Sequence, residues 1–135
     1  MTNLLLRRHN INMTLEQLQE IHNDATLETW HQHPNGGGWV ENTAIVAKTA
    51  YVGKNARVFG EAKVFENAWV YRNAIVHGNA QVYGDARVHG DALVCGNAWV
   101  YGNALVSGNA RVCGNALVHG NAKVNNGVVH DTEIC

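Results

Sequence analysis

From Val40 to Val124 a valine stands at every sixth position without a break, and from Val46 onward an alanine stands two residues ahead of each one. A period of six held this long constrains the fold more than any other feature of the chain. No helix has that period, and strands of three residues are too short for a conventional hairpin sheet. In each A-x-V the alanine and valine share one side of a short strand, and the residue between them takes the other. The three residues that follow, such as Tyr101-Gly102-Asn103, carry turn chemistry, because glycine and asparagine tolerate a positive φ. Where Lys54, Glu66 and Arg72 replace the glycine, Asn55, Asn67 and Asn73 follow; where Glu61 replaces the asparagine, Gly60 precedes it. Almost every turn therefore keeps one residue suited to a left-handed conformation, Lys48-Thr49 excepted. Strands that turn the same way each time coil and pair with their own copies above and below.

On these A-x-V-x-G-N units the chain resembles the hexapeptide-repeat family, in a short form of bacterial or prophage type. The resemblance covers roughly two-thirds of the chain. It implies an all-β fold, a left-handed parallel β-helix of about five coils with three strands and eighteen residues to a coil. At about 4.8 Å per stacked strand such a prism is roughly 24 Å tall. Valines then stack on valines and alanines on alanines inside. At the corners Asn73, Asp91 and Asn109 fall in one column, and Asn67, Asp85, Asn103 and Asn121 in another, where amides hydrogen-bond along the stack.

The repeat sets the boundaries of the rest. Residues 1–38 are expected to form an N-terminal cap, 39–127 the β-helix, and 128–135 a closing segment. Thr14-Leu15-Glu16-Gln17 is a capping-box pattern, with Met13 and Leu18 placed as a hydrophobic staple. It opens a short helix to about Asp24, with Leu15, Leu18, Ile21 and Ala25 on one face; a second helical turn is expected over Thr26 to His31. Gly36-Gly37-Gly38 reads as a flexible hinge. After Val124 the register decays, with Val128 in the alanine slot and His130 in the valine slot.

Charge excludes some partners. A net charge of -1 and no run of like charges beyond Arg7-Arg8 argue against nucleic acid and anionic lipid. No apolar stretch approaches membrane-spanning length. Cys95, Cys113 and Cys135 are odd in number and lack zinc-ribbon or CxxC spacing, so a cytoplasmic setting is expected; Cys95 and Cys113, one coil apart, are close enough for a strained disulfide under oxidation, but a reduced pair is the expectation.

With eighteen residues to a coil, outward residues sort into three faces. The first carries Lys63, Gln81, Trp99 and Leu117 beside Phe65, Tyr83, Tyr101 and His119; the second Tyr51, Trp69, Arg87 and Leu105 beside Tyr71, His89 and Ser107; the third Arg57, Ile75, Leu93 and Arg111 beside Phe59, His77, Cys95 and Cys113. So many outward apolar groups point to self-association, with Phe65, Tyr83, Trp99, Tyr101, Leu117 and His119 as the interface or binding residues. The family resemblance implies a homotrimer. It also implies an alternative, an acyl-CoA-dependent acyltransferase with a histidine base between subunits, for which His77, His89 and His119 are the candidates. The unbroken period leaves no excursion loop to build such a pocket, so the leading expectation is a non-catalytic rigid binding module, without cofactor, for a protein or small-molecule partner. A phage or prophage inhibitor or a ligand-sequestering protein fits that description.

Two further readings are weaker. His77, Cys95 and Cys113 share a column of soft and imidazole ligands suited to zinc, although side chains in line do not converge on a metal without a threefold axis. The non-repetitive stretch holding Trp30, His31, His33, Asn35 and Trp39 is a candidate anion-binding loop, but the favoured reading is structural, a hinge between cap and helix with Trp30 and Trp39 covering the exposed end.

Overall fold

A computed structural model describes residues 13–135. The chain visits three sheets in rotation, in about five turns of a β-solenoid. One sheet runs through Ile45–Val46, Lys63–Val64, Gln81–Val82, Trp99–Val100, Leu117–Val118 and Glu133–Ile134; another runs through Tyr51–Val52, Trp69–Val70, Arg87–Val88, Leu105–Val106 and Lys123–Val124. The third holds Trp39–Glu41, Arg57–Val58, Ile75–Val76, Leu93–Val94, Arg111–Cys113 and Val128–His130, with Trp30–Gln32 added antiparallel at its edge. All other pairings are parallel, and the register Lys63↔Gln81↔Trp99↔Leu117 confirms the eighteen-residue coil and the expected sorting of the faces. Each residue's backbone N–H at these strand starts donates to a carbonyl of the next coil, as Trp69 N does to Ala86 O at 3.0 Å.

The interior holds alanine and valine almost alone. From Ala50 to Val118 every one of these residues is 0 or 1 % exposed. Small and branched side chains in register fill a narrow prism at the packing density of a folded core. Each buried valine contributes about 1.5–3 kcal/mol by removal from water.

The turns refine the sequence reading. The left-handed residue occupies the glycine slot throughout, from Gly60 (φ 71°) to Gly120 (φ 64°). Where that glycine is missing, Glu66 (φ 60°) and Arg72 (φ 58°) take the strained conformation themselves, and the asparagines that follow do not relieve them. The reason is register: moving the left-handed residue by one would turn the next strand's alanine and valine outward. Glu66 recovers part of the cost, since its Oε1 accepts from Gly84 N at 2.9 Å. The asparagines serve between coils instead. Asn67 donates to Asp85 (3.4 Å), Asn73 to Asp91 (3.2 Å), Asn97 to Asn115 (3.4 Å) and Asn103 to Asn121 (3.5 Å).

The first helix, α1 (Leu15–Ile21), is shorter than expected, and its capping box is complete: Thr14 Oγ1 accepts from Gln17 N, and Gln17 Oε1 from Thr14 N. Leu18 packs with Ala25, Trp30 and Trp39, whereas Ile21 is exposed. The second helical turn forms but ends sooner than expected, at Trp30. Thr26 O accepts from Thr29 N and Trp30 N in a single turn, and the chain then enters Trp30–Gln32 because pairing with Trp39–Glu41 completes more backbone bonds. This hairpin crosses the boundary drawn at 38/39. The triple glycine is no hinge either. A Cβ on Gly36 would stand 2.2 Å from Val52 O, and one on Gly38 2.2 Å from Gly53 O, so the glycines allow the hairpin turn to press its backbone onto the first coil.

At the other end Val129, not His130, takes the valine slot. Val94 pairs with Val112 eighteen residues on, but Val112 pairs with Val129 after seventeen, and Val118 with Ile134 after sixteen. Val128 therefore points outward, 68 % exposed.

Candidate functional site

The first face carries a column of rings packed flat on one another. Phe65 and Tyr83 stack at 4.7 Å, Tyr83 and Tyr101 at 5.0 Å, and Tyr101 and His119 at 4.9 Å, with planes within 6° of parallel. Stacking follows from the coil: side chains at equivalent positions leave the backbone in the same direction, one strand spacing apart. The ring faces are thus occupied by one another, and the surface meets mainly their edges. Burial, the neighbouring Tyr101 and Glu66 push the Tyr83 hydroxyl above its ordinary pKa. The column ends where His119 Nε2 meets Glu133 Oε2 at 2.6 Å.

Trp99 is different. It lies T-shaped to Tyr83 and Tyr101, at 71° and 73°, and remains 39 % exposed. Directly above it in register stand Gln81 and Lys63, which with Thr43, Ile45, Glu61 and Asn79 line a cleft of about 320 Å³. Leu117 lies below, half-buried. The structure thus brings Phe65, Tyr83, Trp99, Tyr101, Leu117 and His119 onto one surface. The polar cleft above them was not singled out from sequence; its signal was the outward Lys63 and Gln81 in the same column as Trp99.

The second face pairs aromatic and basic groups. Trp69 lies between Tyr51 (4.8 Å) and the guanidinium of Arg87 (5.1 Å), and Tyr71 stacks on His89 at 4.7 Å. Burial, then Arg72 and Arg87, hold the His89 imidazole below its ordinary pKa. Arg72, Asn55, Asn73, Gly90 and Asp91 line a second cleft of about 340 Å³.

On the third face Arg57 donates to His22 Nε2 at 2.8 Å, and His22 meets Trp30 and Phe59. His77 stacks on Phe59 at 4.8 Å. Both imidazoles are held below their ordinary values, by burial first and Arg57 next. The expected reduced thiols are not what the structure holds. Cys95 and Cys113 are joined in a disulfide with Cα atoms 4.7 Å apart, because equal positions on adjacent coils bring the two side chains within bonding reach. That bond removes the zinc reading of His77, Cys95 and Cys113, and among the described residues no three His, Cys, Asp or Glu side chains gather as a metal set.

The candidate anion loop is committed to packing. Trp30 and Trp39 are buried, and Trp39 Nε1 donates to Met13 O at 2.9 Å. His33 is 3 % exposed and its Nε2 donates to Ala50 O at 2.8 Å; Asn35 donates to the same carbonyl at 3.1 Å. His31 and Asn35 stay exposed, with His31 Nδ1 2.6 Å from Asn42 Oδ1. The covering role favoured from sequence for Trp30 and Trp39 agrees with their burial, while the partners of His33 and Asn35, carbonyls of the coil beneath, carry no side-chain signal.

A family model described as the YdcK beta-solenoid repeat matches residues 80–96 and 98–114. The chain is similar to that repeat over these two stretches, and the match agrees with the coiled architecture. Neither a curated protein nor a solved structure matches the chain. Among the described residues no helix is long and apolar enough to cross a membrane.

Proposed function

We propose that this protein is a rigid, non-catalytic binding module that assembles as a homotrimer and meets a protein or small-molecule partner through its first face. The observation that carries the reading is the exposed Trp99 beside the Lys63–Gln81 cleft, on a surface whose other rings are already stacked on each other. An aromatic anchor with polar groups at its rim is the usual make-up of an interface. In this reading the solenoid is a left-handed hexapeptide-repeat helix, and α1 with the hairpin caps its first coil. A cytoplasmic phage or prophage inhibitor, or a ligand-sequestering protein, is the role that suits such a module. Light scattering tests it: a trimeric mass that falls to one protomer in Trp99→Asp supports the assembly, and a wild-type monomer overturns it.

One contact favours a second reading. Of the candidate bases His77, His89 and His119, it is His119 that has a carboxylate partner, Glu133. Such a pair is how an imidazole is oriented for general-base work in acyl transfer. His77 and His89 lie flat against Phe59 and Tyr71 instead.

A further inference from the structure

We propose that Cys95 and Cys113 form a reversible thiol–disulfide exchange site for a low-molecular-weight thiol and its disulfide, with Cys113 as the sulfur that meets the substrate. The inference starts from the column on the third face. The register Ile75↔Leu93↔Arg111 places His77, Cys95 and Cys113 one above another, and Cys113 is itself paired with His130. The disulfide therefore has an imidazole on each side, and the two imidazoles are held differently.

His130 belongs to an ion pair. Its Nδ1 lies 3.0 Å from Asp131 Oδ2, and the other carboxylate oxygen accepts from Asn115 N at 2.8 Å. The ring lies against Gly114, where a Cβ would stand 2.9 Å from Nε2, so glycine next to Cys113 leaves the space that the imidazole fills. An imidazole held by a carboxylate on the strand paired with Cys113 sets a proton-transfer group at that end of the disulfide, where the thiolate is both the attacking and the leaving form. On the other side His77, in register with Cys95, lies flat on Phe59 with Arg57 in the same cluster, so its ring is held by packing and not by a carboxylate. Arg111, two residues before Cys113 on its own strand, adds a further positive charge on that side. Cys113 is the attacking sulfur and Cys95 the resolving one.

The chemistry balances in two exchanges. The Cys113 thiolate attacks the substrate disulfide, a mixed disulfide forms, and one substrate thiolate leaves. Cys95 loses its proton to solvent and attacks Cys113 Sγ; the Cys95–Cys113 bond forms and the second substrate thiolate departs. Two protein thiols are oxidised by two electrons and one disulfide is reduced to two thiols. The reverse sequence, begun by a substrate thiolate at Cys113, reduces the protein.

Oxidised glutathione is the probe, and the exposed Cys135 serves as an internal reference thiol. In Cys95→Ser, peptide mass spectrometry after timed quenching at pH 7 should show Cys113 captured at least about threefold faster than Cys135, the gain in thiolate exceeding the loss in nucleophilicity. His130→Ala in that background should bring the two rates together while the thermal midpoint stays put. Equal rates before that substitution overturn the proposal. Wild-type protein gives a second reading that needs no variant. Oxidised glutathione should convert the reduced chain to one with a single free thiol and the internal disulfide, and accumulation of mixed disulfides at Cys95 and Cys113 instead overturns it.

Discussion

Nε2 of His119 lies 2.6 Å from Oε2 of Glu133, so a carboxylate from the following coil fixes the ring that ends the aromatic column. The pair separates the two functional readings. A binding module should show no thermal shift with millimolar acetyl-CoA. A clear stabilisation that Glu133→Gln abolishes would replace it with acyl transfer, since a bound ligand stabilises only the state that binds it. The pair itself is too exposed to hold the fold, and Glu133→Gln alone should cost less than about 1 kcal/mol.

Trp99 tests the surface. Trp99→Asp puts a charge at the centre of the first face without touching the core, because the residue alternates outward from Val100. Thermal stability measured at high dilution should change little, while the assembled mass falls. Trp69→Asp on the second face should leave the mass unaltered; loss of assembly in that variant and not in Trp99→Asp would move the interface.

Acid should destabilise this protein. His22 and His77 are held below the ordinary value of 6.5, by burial first and Arg57 next, so the unfolded chain binds protons there more tightly than the folded one. Their contribution is present above the unfolded value and is lost as pH falls through 6.5 toward the depressed folded values. The thermal midpoint should therefore drop between pH 7.5 and pH 5.5. His77→Phe, which keeps a ring stacked on Phe59, should reduce that drop; an unchanged drop would remove His77 as a cause.

Gly96 carries φ 66°, and a Cβ there would stand 2.7 Å from Gly114 N. Backbone cannot yield as a side-chain tip can, so Gly96→Ala adds a clash to the left-handed strain and should cost about 2–4 kcal/mol by denaturant titration. Arg72 adopts the same conformation without glycine, so Arg72→Ala at φ 58° should cost far less.

His33 is a structural histidine. His33→Ala removes a buried ring and leaves the Ala50 carbonyl to Asn35 alone, which predicts a loss of about 2–3 kcal/mol. His31→Ala, at an exposed neighbour, should be close to neutral.

Much of this was legible in the residues. The six-residue spacing predicts the coil and the inward alanines and valines, and places Lys63, Gln81, Trp99 and Leu117 on one strip; the strand register bears this out. What escaped was what the period does not encode. His33 and Asn35 bind a backbone carbonyl of the first coil, so sequence kept a site as the lesser reading of that stretch and took the glycines at 36–38 for a hinge. The last coil loses residues at positions no motif marks, and valine at both 128 and 129 left its register ambiguous. Ring orientation was hidden as well: Tyr83 and Trp99 are both outward aromatics, and only the structure separates the ring turned against its neighbours from the one stacked between them. The column of Cys95 and Cys113 follows from the eighteen-residue coil, but the spacing does not decide between paired thiols and the bond that the structure holds.

The shortened last coil has a consequence for growth. A parallel stack of identical coils is a template that copies itself: its final rung offers an incoming strand the same spacing as every rung before. Here that rung is out of step, with Val129 and Ile134 reached one and two residues early and Asp131 turned to φ 58° between them. An incoming repeat of eighteen would meet mismatched corners and the outward Val128. This rung thus opposes end-to-end stacking of further coils, through a mismatch written as two missing residues.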